Sequence, residues 1–158
     1  MPTFTIESNG RIEKTAIYYN GEQLGGVKEI FINLDEDGTF DAVIQYEGTD
    51  KVLYTKQIFT EYFTNSKVVE PSFTDEEAMN LRQITIESEG DIEDTMVYDG
   101  DEIIEGIVSL LIHIKGAETK NGLKSLFSKG SSTPDTPEFR AEITFRNEDE
   151  SIETDNVF

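Results

Sequence analysis

From Lys28 the chain alternates: Ile30, Ile32 and Leu34 fall on one side of an extended segment with Lys28, and Glu29, Phe31 and Asn33 fall on the other. The pattern returns at once, with Phe40, Ala42, Ile44 and Tyr46 interleaved by Asp41, Val43, Gln45 and Glu47. A period of two predicts half-buried antiparallel strands, and turn residues sit between them. These are Asn9-Gly10, Asn20-Gly21, residues 35–38 (DEDG), Gly90 after Ser88-Glu89, and Asp99-Gly100, where Gly or Asn accepts the positive φ of a tight hairpin.

The same frame is written twice. At an offset of 80, residues 4–34 and 84–114 are identical at twelve of 31 positions, among them Thr5/Thr85, Glu7/Glu87, Ser8/Ser88, Gly26/Gly106 and Ile32/Ile112. The match resumes at an offset of 99, where Phe40, Ala42 and Ile44 meet Phe139, Ala141 and Ile143. The second copy therefore carries a 19-residue insertion near 115–133. Each copy reads as a four- or five-stranded meander, closed by 51–59 in the first and 151–158 in the second. Self-similarity of this kind implies that the units pair or stack.

Three segments follow: copy one over 1–59, a connector over 60–83, and copy two over 84–158. In the connector Thr74 and Glu77 have capping-box spacing, which predicts one short helix across 75–82, with Pro71 marking the break before it. Neither meander can cover both of its faces alone. The expected fold is all-β, two duplicated antiparallel meanders packed as a sandwich-like pair with one short connector helix.

Composition narrows the chemistry. The 158 residues include 33 Asp and Glu against 13 Lys and Arg, a formal net charge of −20. Such a surface repels DNA, RNA and anionic membranes and attracts a basic protein surface. No cysteine is present, which removes disulfides, thiolate metal sites and a Cys nucleophile. The opening residues enter the alternating pattern directly, and no run of 18 apolar residues occurs, so the expectation is a soluble, cytoplasmic protein. There is no nucleophile elbow and no phosphate-cradling glycine loop, and His113 is the sole histidine. No enzyme, cofactor or metal is expected. Asp35, Asp37 and Asp41 outline a calcium-like loop, but its flanks are strands and its twelfth position is Tyr46, so it reads as an acidic β-turn.

The runs from Tyr19-Asn20-Gly21 through Leu24, Gly26 and Val27, and from Tyr98-Asp99-Gly100 through Gly106 and Ile107, resemble a hairpin frame of small β-rich bacteriophage proteins. The resemblance covers about thirty residues per copy. It implies a phage or prophage origin and brings no catalytic motif. The tandem arrangement and the long insertion depart from the single-unit pattern.

Two features stand out as candidate binding sites. Residues 84–106 hold nine carboxylates and no Lys or Arg, while 4–26 on the same frame include Arg11 and Lys14. In an extended strand Glu87, Glu89, Asp91 and Glu93 would fall on one side about 6.7 Å apart, near the spacing of phosphates along a nucleic acid. Asp94, Asp99, Asp101 and Glu102 extend the block. Such a run is ordinarily a solvated face, and its confinement to one copy makes it a candidate binding face. The insertion is a basic island in which Leu123, Leu126 and Phe127 have helical spacing beside Lys124, a pattern suited to docking or to a surface extension packed on the sheet.

The functional expectation is an acidic binding protein that occupies the basic, nucleic-acid-binding surface of a host protein as an inhibitor. The alternative is a structural or accessory subunit of a virion or similar assembly, self-associating through strand edges.

Overall fold

A computed structural model describes residues 2–116 and 138–158. Copy one forms β1 (Thr3–Ser8), a 3-10 turn (Ile12–Lys14), β2 (Ala16–Tyr19), β3 (Glu22–Gly25), β4 (Val27–Asp35), β5 (Phe40–Glu47) and β6 (Leu53–Gln57). The connector adds β7 (Lys67–Val69) and α1 (Asp75–Ala78). Copy two repeats the series as β8 (Arg82–Glu87), β9 (Met96–Asp99), β10 (Glu102–Ile103), β11 (Ile107–Lys115), β12 (Glu138–Arg146) and β13 (Ile152–Asn156). Each copy thus has six strands rather than four or five, because the short hairpins contribute two apiece. The second turns at Gly100-Asp101 rather than Asp99-Gly100, since Asp99 is the last residue of β9 and pairs with Glu102.

The all-β sandwich expected from the alternation forms, as two antiparallel sheets, but the layers are not one copy each. The seven-stranded sheet runs β10-β9-β8-β1-β2-β3-β7, and the six-stranded sheet runs β13-β12-β11-β4-β5-β6. Three strands of each copy lie in each sheet, and the copies meet edge to edge. In one sheet Thr5 pairs with Thr85 across β1 and β8; in the other Ile32 pairs with Ile112 across β4 and β11. Both are self-pairs at the offset of 80, so a pseudo-twofold axis passes through both layers. The Thr5 and Thr85 hydroxyls share a 2.9 Å hydrogen bond at that axis.

A single residue moves each copy from one sheet to the other. Gly26 and Gly106, at φ of +72° and +74°, lie between β3 and β4 and between β10 and β11. A Cβ at Gly26 would stand 2.6 Å from the Glu47 carbonyl oxygen, and one at Gly106 would stand 2.9 Å from that of Arg146. The turn also bonds the neighbouring strand, with Glu47 N–H donating to Gly26 O and Arg146 N–H to Gly106 O, both at 2.8 Å. A β-bulge follows in each copy, between Val27 and Glu29 and between Ile107 and Ser109. The bulge explains why Lys28 is exposed although it shares parity with Ile30.

The core lies between the sheets. Ile30, Ile32 and Leu34 of β4 and Leu110, Ile112 and Ile114 of β11 face Phe4 and Ile6 of β1 and Ile84 and Ile86 of β8, all buried. Truncating one of these isoleucines to Ala would cost about 2–5 kcal/mol. In α1 the expected capping box is present, since Glu77 N–H donates to Thr74 Oγ1 and Thr74 N–H to Glu77 Oε1. The helix ends at Ala78 rather than 82, because Arg82 is already the first residue of β8.

Gly26→Ala and Gly21→Ala separate backbone strain from close approach. Gly21 has φ +86° with open space around it. Alanine there is expected to cost about 1–2 kcal/mol for the left-handed backbone alone. At Gly26 the loss should be clearly larger, because the Glu47 carbonyl must also move; urea unfolding of the two variants measures the difference.

Candidate functional site

The acidic candidate residues do not form a row. Strand β8 ends at Glu87, and residues 88–95 fold into a turn held by short side chains. Ser88 Oγ accepts from Gly90 N–H at 3.0 Å and lies 2.8 Å from Thr95 Oγ1, whose hydroxyl donates to Asp91 O at 2.5 Å. Copy one makes the same bonds with Ser8, Gly10, Thr15 and Arg11. This correction removes the phosphate-like spacing expected of Glu87, Glu89, Asp91 and Glu93. The side-chain hydroxyls close the loop before a straight strand can run through it.

What the turn produces is a cluster. Glu89, Asp91, Glu93 and Asp94 are exposed on it. Repulsion by Asp91 is the main influence raising the Asp94 carboxyl above its ordinary value, with smaller contributions from burial and from Glu89 and Glu93. On the same backbone, copy one places Asn9, Arg11, Glu13 and Lys14. Lys14 Nζ there lies 5.9 Å from the Phe73 ring centroid and lowers the Glu77 carboxyl, although that group owes most of its shift to the Thr74 bonds. The first loop is therefore matched to the connector with its acidic helix.

The remaining candidates are unequal. Asp99 is not a free carboxylate: Arg82 Nε donates to its Oδ1 at 3.1 Å and Arg82 Nη2 to its Oδ2 at 2.5 Å, while Nη1 reaches the Val157 carbonyl. The Arg82 hydrogen bonds hold the Asp99 carboxyl below its ordinary value, against a smaller opposing influence of burial. Glu87 is half-buried in β8, and Asp101 and Glu102 are exposed at the β9–β10 turn. Leu123, Lys124, Leu126 and Phe127 lie outside the described residues. Gly116, the last described residue before them, lines a cleft in copy one, at the other end of the sandwich from the acidic loop.

Asp35, Asp37 and His113 have local partners, and the first two form the acidic β-turn expected of them. Asp35 and Asp37 accept the N–H groups of Asp37 and Thr39, closing the β4–β5 turn on itself. His113 stands between Glu29, at 2.6 Å, and Glu138, at 3.2 Å. Among the described residues no group of three His, Cys, Asp or Glu is placed to hold a metal ion. Nor is any described helix long and apolar enough to cross a membrane.

The copy-two end also holds what the charge pattern alone did not show, an apolar cleft of about 230 Å³ between the sheets. Ile92, Met96, Ile103, Ile104 and Ile107 line it beside Asp35 and Glu36. Its lining repeats that of the copy-one cleft at the offset of 80. The signal available in sequence was substitution within the repeat: Met96 and Ile103 stand where copy one has Ala16 and Gln23. No family model, curated protein or solved structure matches the chain.

The two carboxyls predict opposite pH responses. Asp99 has a lowered folded-state pKa, so its contribution is complete above the unfolded value near 3.8 and is lost as pH falls through the lower folded value. Asp94 has a raised one, so stability falls as pH rises past 3.8 through the folded value. Asp99→Asn should lower Tm at pH 7, and Asp94→Asn should raise it. Thermal unfolding from pH 7 to pH 3 should show both differences shrinking.

Proposed function

We propose that the chain is a non-enzymatic binding protein of phage type that presents the copy-two end to a protein partner with a basic surface. Where that surface ordinarily holds nucleic acid, occupancy makes the protein an inhibitor. The observation that carries this reading is one backbone turn bearing two charges. Asn9, Arg11, Glu13 and Lys14 give net +1, and Glu89, Asp91, Glu93 and Asp94 give net −4. The Ser, Thr and backbone bonds that shape the turn are the same in both copies. Each adds one of its own, Asn9 Oδ1 accepting from Arg11 N–H in copy one and Asp91 Oδ1 accepting from Asp94 N–H in copy two, so the turn closes with either charge set.

Carboxylates that repel one another in the free protein gain when a cation approaches, and the overall charge speeds encounter with a basic partner. Phosphate spacing plays no part in this reading. The assembly-subunit alternative has less support, because β13, an outer strand of its sheet, is exposed and carries Glu153 and Asp155, charges that oppose edge-to-edge joining.

The test is loop exchange. Glu89→Asn, Asp91→Arg and Asp94→Lys together give copy two the copy-one charges while keeping Ser88, Gly90 and Thr95. A partner captured from host lysate at low salt and identified should bind the exchanged protein at least tenfold more weakly in a purified titration. Its affinity for the unaltered protein should fall with ionic strength. Equal affinity for both proteins would overturn the reading.

A further inference from the structure

We propose that the outer edge of β10 and the cleft behind it are a docking site for one extended, basic segment of a partner protein, which adds to the seven-stranded sheet as β7 does in copy one. This deepens the function proposed above and rests on it.

The protein contains its own template for the complex. In copy one, β7 pairs with β3, placing Val69 opposite Gln23, Val68 opposite Leu24 and Lys67 opposite Gly25. The connector then locks down: Gln23 Nε2 donates to Ser72 Oγ at 2.7 Å, and Ser72 N–H donates to Gln23 Oε1 at 2.8 Å. Just upstream, Phe63 is buried and stacks on Tyr19 with ring centroids 4.4 Å apart. One segment thus supplies an aromatic plug, an edge strand and a polar latch.

Copy two offers the matching receptor. Strand β10 pairs with β9 in the register of β3 with β2, and among the described residues it ends the sheet. Ile104 N–H bonds inward to Val97 O at 2.8 Å. By the alternation of an antiparallel ladder, Ile103 and Glu105 therefore turn their backbone groups outward, as Gln23 and Gly25 do toward β7. Ile103 is 49% exposed and Met96 is 37% exposed, whereas their counterparts Gln23 and Ala16 are 7% and 2%. Where the plug of Phe63 sits in copy one, copy two has a second opening lined by Asp99, Ile104, Phe145 and Asp155.

Charge states the partner's chemistry. The copy-one receptor carries Arg11 and Lys14 and receives a connector with Asp75, Glu76 and Glu77. The copy-two receptor carries Asp91 and Asp94 at those positions, and Glu105 replaces Gly25 opposite the site of Lys67. A Lys or Arg at that cross-strand position would face Glu105, a favourable pair. In copy one Val69 lines the cleft and Val68 is exposed, and a Cβ at Gly25 would stand 2.7 Å from Val69 Cγ1. The segment is thus an extended strand with one apolar side chain toward the cleft, turned to clear the Glu105 Cβ, and Lys or Arg around it. Strand addition supplies affinity through main-chain bonds, and the cleft supplies selectivity.

The probes are two synthetic peptides with the sequence of residues 60–73, one unaltered and one with Glu61→Lys and Glu70→Lys. They are titrated into the full-length protein and followed by amide chemical shifts. The basic peptide should bind at least tenfold more tightly than the unaltered one and lose affinity with salt. Its largest shifts should fall on Ile103, Ile104 and Glu105. Glu105→Pro, which removes an outward N–H, and Ile103→Lys, at a half-exposed position, should each weaken it at least tenfold while amide shifts far from β10 stay those of the unaltered fold. Binding of neither peptide, shifts centred on β6 or β13, or equal affinities would overturn the proposal. A dimer of this chain abolished by Ile103→Lys would assign the edge to a second copy and overturn it as well. If a captured partner is lost on loop exchange but tolerates both β10 variants, the strand mode falls while the proposed function stands.

Discussion

Two antiparallel self-pairings, Thr5 with Thr85 and Ile32 with Ile112, decide the rest of the molecule. They join the copies at their first and fourth strands in both layers at once. Each sheet therefore runs continuously through the axis, and a single hydrophobic interior lies beneath it. Because the joined edges are central, the hairpin ends of the copies are pushed to opposite extremes of the sandwich. Anything that differs between the copies is then displayed at one end or the other.

That geometry accounts for the uneven charge. The copy-one end is covered by the connector, whose Phe73 and Glu77 lie near Lys14 and whose β7 extends the sheet. The copy-two end repeats the turn, the hairpin register and the cleft, with acidic residues where the first copy is basic and apolar residues where it is small or amide-bearing. Exposed Ile103 and Met96 beside a self-repelling carboxylate cluster are poor choices for stability alone. Both become favourable contacts when a basic strand covers them.

Much of this was legible in the residues. Alternation placed Ile30, Ile32, Leu34, Ala42 and Ile44 in the core, and the repeat identified Gly26 and Gly106 as equivalent. The capping box at Thr74 and Glu77 was also plain. The division of each copy between layers was not, since it depends on a left-handed glycine stacked against the carbonyl of a distant strand, Gly26 on Glu47 and Gly106 on Arg146, which no local period encodes. Strand β7 escaped notice because three residues cannot show a period of two, and its pairing with β3 is long-range. The straight acidic row failed because Ser88 and Thr95 bond across the loop, and Asp99 lost its place as a free carboxylate to Arg82, seventeen residues earlier.

The edge-to-edge junction is open to direct measurement, since the chain has no cysteine to confuse the result. Residues directly opposite in an antiparallel pair have Cα atoms about 4.5–5.5 Å apart, within disulfide reach. Under oxidation, the Thr5→Cys, Thr85→Cys double variant should close one intramolecular disulfide in the folded monomer, mapped by mass spectrometry, with Tm raised. A variant that stays reduced while folded, or cross-links only between molecules, would contradict the shared axis and everything built on it.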